Sequence, residues 1–157
     1  MKLIFITGPS GSGKTTISKY ISECLTNSYI LSTDNNYKTG LISKISSKII
    51  KSYFDKILSH DQGLIKRDIY KIIRKNSINH YYKYDFIKQV TKKHKKNFSN
   101  IQNLIVEGIF ALELTDFFSE NQYLLIRLKE KKSICRKRIL TIFLKTIQLI
   151  IIINIVL

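Results

Sequence analysis

Near its amino terminus the chain reads Leu3-Ile4-Phe5-Ile6-Thr7-Gly8-Pro9-Ser10-Gly11-Ser12-Gly13-Lys14-Thr15-Thr16, and this stretch leaves few choices of fold. Leu3 to Ile6 is an unbroken apolar run, the pattern of a short strand buried on both faces. Behind it, Gly8-x-x-x-x-Gly13-Lys14-Thr15 satisfies the phosphate-binding loop pattern at every specified position. Its glycines permit backbone turns closed to other residues, so that successive N–H groups point inward as a nest for phosphate oxygens. Beyond Gly13, residues Ile17, Tyr20, Ile21, Cys24 and Leu25 recur at the spacing of one helical face. A helix beginning there aims its free N–H groups and positive dipole end at the anion. On this pattern Gly8, Ser10, Gly11, Ser12, Gly13, Lys14, Thr15 and Thr16 hold the phosphates of ATP. Lys14 reaches the β- and γ-phosphates, and the Thr15 hydroxyl ligates Mg²⁺.

A phosphate-binding loop needs acids near its metal, and two segments offer them. Ser28 to Ser32 is a second strand candidate, followed by Thr33-Asp34-Asn35-Asn36-Tyr37-Lys38. In an open α/β sheet, ligands bind beyond the carboxyl ends of the strands, so Asp34 is a candidate catalytic base or metal-side acid. Asp-Asn-Asn is also ordinary turn chemistry, and alone it would say no more. Asn103 to Val106 is a buried apolar run ending in Glu107 and then Gly108. A strand beside the first one would carry Glu107 to the Mg²⁺ site, directly or through water. The other reading of Glu107 is a plain strand-end residue.

The remaining segments say less about chemistry. Residues 41 to 78 pattern as two amphipathic helices, with Ile45, Ile49, Tyr53 and Ile57 on one and Ile69, Ile72 and Ile73 on the other. His60-Asp61-Gln62-Gly63 marks the break, and His60 reads as structural or exposed. In His80-Tyr81-Tyr82-Lys83-Tyr84-Asp85-Phe86 the aromatic rings offer either a stacking surface for a base or core and edge packing. Lys92 to Lys96 is expected to be an exposed turn or helix end. Tyr123 to Leu128 reads as a further strand and Lys129 to Leu140 as a basic helix. On that helix Arg136 and Arg138 are candidates for a closing lid that stabilises charge on a transferring phosphoryl group.

At 157 residues the chain is expected to form one domain over residues 1–140, followed by an Ile-rich segment, 141–157. The apolar stretch from Ile139 to Leu157, 19 residues, is barely long enough to span a bilayer, and Lys145 and Gln148 count against it, so a membrane role is disfavoured and a buried or aggregation-prone terminal segment is expected. The net charge of +16 suits anionic ligands. Lysines are spread along the whole chain, however, so nucleic acid is a disfavoured partner and a polyanion-binding module stands only as an alternative. Cys24 and Cys135 lack metal-type spacing; Cys24 is expected to be a small buried hydrophobe in a reducing, cytoplasmic setting.

With these segments in this order, the chain resembles the uridine kinase and phosphoribulokinase family of P-loop kinases, and the uridine kinases most of all. The loop matches the family's G-x-S-G-S-G-K-T-T, and Asp34-Asn35-Asn36-Tyr37-Lys38 matches its Asp-Ser-Phe-Tyr-Lys. Tyr84-Asp85-Phe86 matches Tyr-Asp-Phe, and Glu107-Gly108-Ile109 matches Glu-Gly-Ile. The resemblance implies a three-layer α/β P-loop NTPase fold, a mostly parallel sheet flanked by helices, and phosphoryl transfer from ATP to a hydroxyl. It implies Asp34 as base, Tyr37, Tyr84 and Phe86 around a nucleoside, and Glu107 at magnesium. An oligomer is compatible with it. Gln89 stands where the family carries His, Ser59-His60-Asp61 only loosely matches its Asp-His-Pro, and Arg136-Lys137-Arg138 runs into Ile-rich sequence instead of Arg-Asp. From that last departure we expect a truncation or shifted reading frame after Leu140, with a catalytically impaired ATP-binding remnant as the alternative. Another small acceptor, such as a sugar, glycerate or pantothenate, is the alternative within the kinases.

Overall fold

A computed structural model describes residues 1–39, 59–118 and 120–129. Arg136, Arg138, Ile45, Ile49, Tyr53, Ile57 and residues 141–157 lie outside the described residues. Within them the chain forms strand β1 (Lys2–Thr7), helix α1 (Lys14–Cys24), β2 (Ser28–Ser32), α2 (Gln62–Lys75), β3 (Ile78–Asp85), β4 (Val90–Phe98), β5 (Asn103–Glu107) and β6 (Tyr123–Arg127). Short 3-10 segments occupy Thr33–Asn35 and Leu112–Phe118.

Four strands make one parallel sheet in the order β2-β5-β1-β6. Side chains alternate across it as the two-residue period of a strand requires. Leu3 and Phe5 of β1, Tyr29 and Leu31 of β2, and Leu104 and Val106 of β5 face one way. There they meet Ile65, Ile69 and Ile72 of α2 together with Leu114 and Phe118. Ile4, Ile6, Ile105 and Ile126 face the other way and meet Ile17 and Ile21 of α1. Both faces being covered, the strands read as continuous apolar runs, and the architecture is three-layered α/β as the resemblance implies.

The second helix begins at an Asp61 cap whose carboxylate accepts from the Leu64 amide at 3.0 Å. It ends at Asn76, which takes a left-handed conformation at φ 50°. The break at residues 60–63 is therefore a helix start, and Gln62 and Gly63 already belong to the helix. Beyond it the expectation of helix up to residue 78 fails over the last three residues, because the helix ends at Lys75 and Ile78 opens β3.

Two other expectations are corrected. Lys92 to Lys96 is neither a turn nor a helix end but the middle of β4, antiparallel to β3 with Tyr82 opposite Lys93 and Lys83 opposite Lys92. A two-stranded ribbon leaves both faces partly wet, so its lysines stay exposed while its backbone is paired. Cys24 is exposed instead of buried, and Tyr20 is only half-buried. The buried stripe of α1 is Lys14, Ile17, Ser18 and Ile21; the chain turns extended at Leu25, leaving Cys24 in the last turn near Met1 and Lys2 at the amino-terminal rim of the sheet.

Ile69 is fully buried between α2 and the sheet. Ile69→Ala is expected to lower unfolding stability by about 2–5 kcal/mol in chemical denaturation. Ile87, 96% exposed, is the control: Ile87→Ala is expected to change it by no more than about 0.5 kcal/mol.

Candidate active site

Every strand of the parallel sheet runs the same way, so the segments leaving the carboxyl ends of β1, β2 and β5 crowd one rim. The loop after β1 arches from Gly8 to Gly13. At Gly8 a side chain would press its Cβ to 2.7 Å from the Leu128 carbonyl oxygen, so close packing against the end of β6 explains that glycine. Gly13 caps α1 at φ 94° and brings no side chain to the first N–H groups of the helix; the first turn also holds no acid. Those donors face the loop interior as the anion site of a helix start. Ser12 is buried with an Oγ that has no hydrogen-bond partner, an orphan that an oxygen-rich ligand would satisfy. Lys14 is itself 6% exposed and donates from Nζ to the Pro9 carbonyl oxygen at 2.9 Å, which holds its ammonium across the loop. Ser10, Gly11, Thr15 and Thr16 are exposed at the loop surface.

Glu107 ends β5 level with Ile6 on one side and Ser32 on the other. It is buried, and the Thr15 hydroxyl donates to its Oε2 at 3.4 Å. Burial raises the Glu107 pKa above the ordinary glutamate value, as does the nearby Asp34 carboxylate. A hydrogen bond from Ser32, the Lys14 charge and the Thr15 hydroxyl pull the other way. Lys14, Thr15, Ser32 and Asp34 thus all act on the one Glu107 carboxylate. A buried carboxylate beside a hydroxyl is a hard-oxygen donor set of the kind Mg²⁺ takes, so the residues present fit that ion. Among the described residues no cluster of three or more His, Cys, Asp or Glu forms a closed protein-only cage.

Gly108, next along, adopts φ 152°, and a Cβ there would lie 1.8 Å from Thr33 Oγ1 and 3.2 Å from Asp34 Oδ1. The end of β5 and the turn after β2 are thus in direct contact, and only glycine permits it. The turn is held from several sides. Lys38 N donates to the Ser59 carbonyl oxygen at 2.7 Å, Asp61 N to Asn36 at 2.8 Å, and Thr91 Oγ1 to the Tyr37 carbonyl oxygen at 2.8 Å. Tyr37 forms the centre of a ring cluster, with His60 at 4.3 Å, Tyr84 at 4.7 Å and Phe86 at 6.0 Å between centroids. Tyr84 is buried, whereas Phe86 is 65% exposed.

The structure therefore brings together the loop residues, Asp34 and Glu107, and gathers Tyr37, Tyr84 and Phe86 into one cluster next to them. Sequence reasoning set His60 aside, yet it is buried in that cluster with Nε2 3.8 Å from Asp34 Oδ1. It stands two residues ahead of the helix it precedes, where the loose match of Ser59-His60-Asp61 to the family's Asp-His-Pro is the signal that points to it. Ser32, too, went unnoticed, although it is the residue directly before the Thr33-Asp34 turn and opposite Glu107.

The AAA domain family (AAA_18) matches residues 4–141. The chain belongs to that family. It is 34% identical over 109 residues to a uridine kinase from Borrelia turicatae (strain 91E135), a match covering 69% of this chain and 52% of the relative. The chain thus spans about half the length of the curated relatives it matches. Its fold resembles that of a proposed fructose transport system kinase from Silicibacter sp. TM1040, with a TM-score of 0.63, 15% identity and coverage of 80% of this chain and 64% of the other. A structure described as a possible uridine kinase from Bacillus stearothermophilus gives a TM-score of 0.53 at 18% identity, covering 69% and 61%. Among the described residues no helix is long and apolar enough to cross a membrane.

Because the folded pKa of Glu107 is raised, its contribution to stability is fully present below the unfolded glutamate value and is lost as pH rises through the folded one. Glu107→Gln removes the buried charge and keeps hydrogen-bonding groups. At about pH 8 the ligand-free variant is expected to melt at a higher temperature than wild type, the gap closing below about pH 4. An equal or lower melting temperature at the higher pH contradicts the assignment.

Proposed function

We propose that the chain is an ATP-dependent small-molecule kinase that transfers the γ-phosphoryl group to the 5′-hydroxyl of a pyrimidine nucleoside, uridine or cytidine. The observation that carries this reading is the meeting of Lys14, Thr15, Glu107 and Asp34 at one rim of a parallel sheet, with an aromatic cluster adjoining it. The similarity to uridine kinases supports the choice of acceptor.

In this reading the amides of the loop from Gly8 to Thr16 and the Lys14 ammonium bind the β- and γ-phosphates and spread their charge over fixed donors. Thr15 and Glu107 hold Mg²⁺, which when bound neutralises charge on the phosphate oxygens. Asp34, partly exposed at the rim, takes the proton of the acceptor hydroxyl. The hydroxyl oxygen forms a bond to the γ-phosphorus as the bond from that phosphorus to the β–γ bridging oxygen breaks, and ADP leaves. Tyr37, Tyr84 and the exposed Phe86 offer ring faces for the base, and Arg136 and Arg138 supply lid charges to the transferring group. The activity is assigned to the cytoplasm.

Phosphoryl transfer from γ-labelled ATP across uridine, cytidine, a hexose, glycerate and pantothenate tests the reading. Turnover is expected with the two nucleosides. Asp34→Asn is expected to lower kcat by about 100-fold or more while leaving ATP affinity in place. Preference for a non-nucleoside acceptor overturns the substrate, and ATP binding without transfer to any acceptor overturns the enzyme in favour of an impaired remnant.

A further inference from the structure

Asp34 has a buried neighbour that the mechanism above does not use. The His60 side chain is 1% exposed, whereas that of Asp34 is 36% exposed, so the carboxylate lies between solvent and the imidazole. The ring is clamped by Tyr37 at 4.3 Å and by the edge-on Phe110 at 5.0 Å. Its backbone is tied as well, through a bridge between Tyr37 and His60 and the Lys38 amide bond to Ser59. Nδ1 sits 2.9 Å from Ser59 Oγ. Nε2 is fully buried and has no hydrogen-bond partner among the described residues; Asp34 Oδ1 lies 3.8 Å from it.

A buried ring nitrogen without a partner is costly, and a sub-ångström approach of Asp34 would supply one. Hydrogen bonds at active sites are commonly long before ligands bind and tighten afterwards. The two ring nitrogens are also not equivalent. A Ser59 hydroxyl that donates to Nδ1 leaves the proton of a neutral imidazole on Nε2, pointing at the carboxylate.

Resting on the kinase reading above, we propose that His60 is a positioning residue for Asp34. Nε2–H donates to Oδ1, which aims Oδ2 at the acceptor hydroxyl, and Ser59 fixes the tautomer that makes this donation available. The hydroxyl proton passes to Asp34 Oδ2, and the imidazole takes up no proton in the step. The arrangement differs from a histidine base oriented by a carboxylate: here the carboxylate does the proton transfer and the ring holds it in place. Tyr37 gains a second purpose, because the ring that faces the acceptor also wedges His60 against Asp34.

Two variants and one spectrum test this on the full chain. His60→Phe keeps a ring for Tyr37 and Phe110 and removes both nitrogens; His60→Gln retains an N–H donor that can reach Asp34. His60→Phe is expected to lower kcat about 10-fold or more with the KM for ATP unchanged, and His60→Gln to recover most of the loss. Independently of activity, long-range ¹H–¹⁵N spectra of the three histidines, with His60 assigned by its disappearance in His60→Phe, report the tautomer. The expected result is the Nε2–H form, with an Nε2 shift that moves in Asp34→Asn. An Nδ1–H form indifferent to Asp34→Asn overturns the proposal, as does wild-type kcat in His60→Phe. A wild-type chain that transfers no phosphoryl group overturns the kinase reading instead, and the spectrum then still decides whether the His60–Asp34 contact exists.

Discussion

The insertion of β5 between β1 and β2 is the constraint on which the site depends. Because β5 pairs in parallel with both neighbours, Ile6, Glu107 and Ser32 finish level with one another, and whatever follows each strand must share one rim. The loop after β1 delivers Lys14 and Thr15, the turn after β2 delivers Asp34, and β5 itself ends in a carboxylate. A slip of one residue in β5 would turn Glu107 to the other face of the sheet and put Val106 in its place. The apolar packing of Leu104 and Val106 on the α2 side and of Ile105 on the α1 side opposes such a slip.

That same constraint places an acid where it is not comfortable. Glu107 is desolvated and close to a second carboxylate, and the Ser32, Thr15 and Lys14 groups that favour its ionised form offset this only in part. A site that keeps such a residue gives up folding stability for a position suited to a divalent cation. The turn that carries Asp34 is built differently. Thr33 to Lys38 packs through the buried Tyr37 ring and is fixed by backbone hydrogen bonds to Ser59 and Asp61 and by the Thr91 hydroxyl of the β3–β4 ribbon. Movement of that ribbon would therefore be felt at Tyr37 and, through the ring cluster, at His60.

Much of this was legible before any coordinates. Runs such as Leu3 to Ile6, Tyr29 to Leu31 and Leu104 to Val106 are apolar without alternation because helices cover both faces, and the loop pattern fixes where the first of them ends. The acids at 34 and 107 could be picked out because Glu107 directly follows a run of this kind and Asp34 stands three residues beyond one. Where the reading failed, local pattern and tertiary context disagreed. Lys92 to Lys96 has neither the composition nor the periodicity of a strand; it is one because β3 offers it a partner and a ribbon tolerates lysine on both faces. Cys24 falls on the apolar face by spacing alone, but the helix runs out of sheet to cover it. His60 is invisible to periodicity and shows only in a loose family match, since what sets it apart is its place 3.8 Å from Asp34, twenty-six residues earlier in the chain.

The central claim is that Thr15, in the first turn of α1, and Glu107, at the end of β5, act on a single metal. A double-mutant cycle on the Mg²⁺-dependent affinity for a non-hydrolysable ATP analogue, using Thr15→Ala, Glu107→Gln and the combined variant, tests it most directly. If both serve one ion, each single change removes most of the Mg²⁺-dependent tightening and the double variant is scarcely worse than either. Additive losses, or a Mg²⁺ effect that survives Glu107→Gln, would contradict the account.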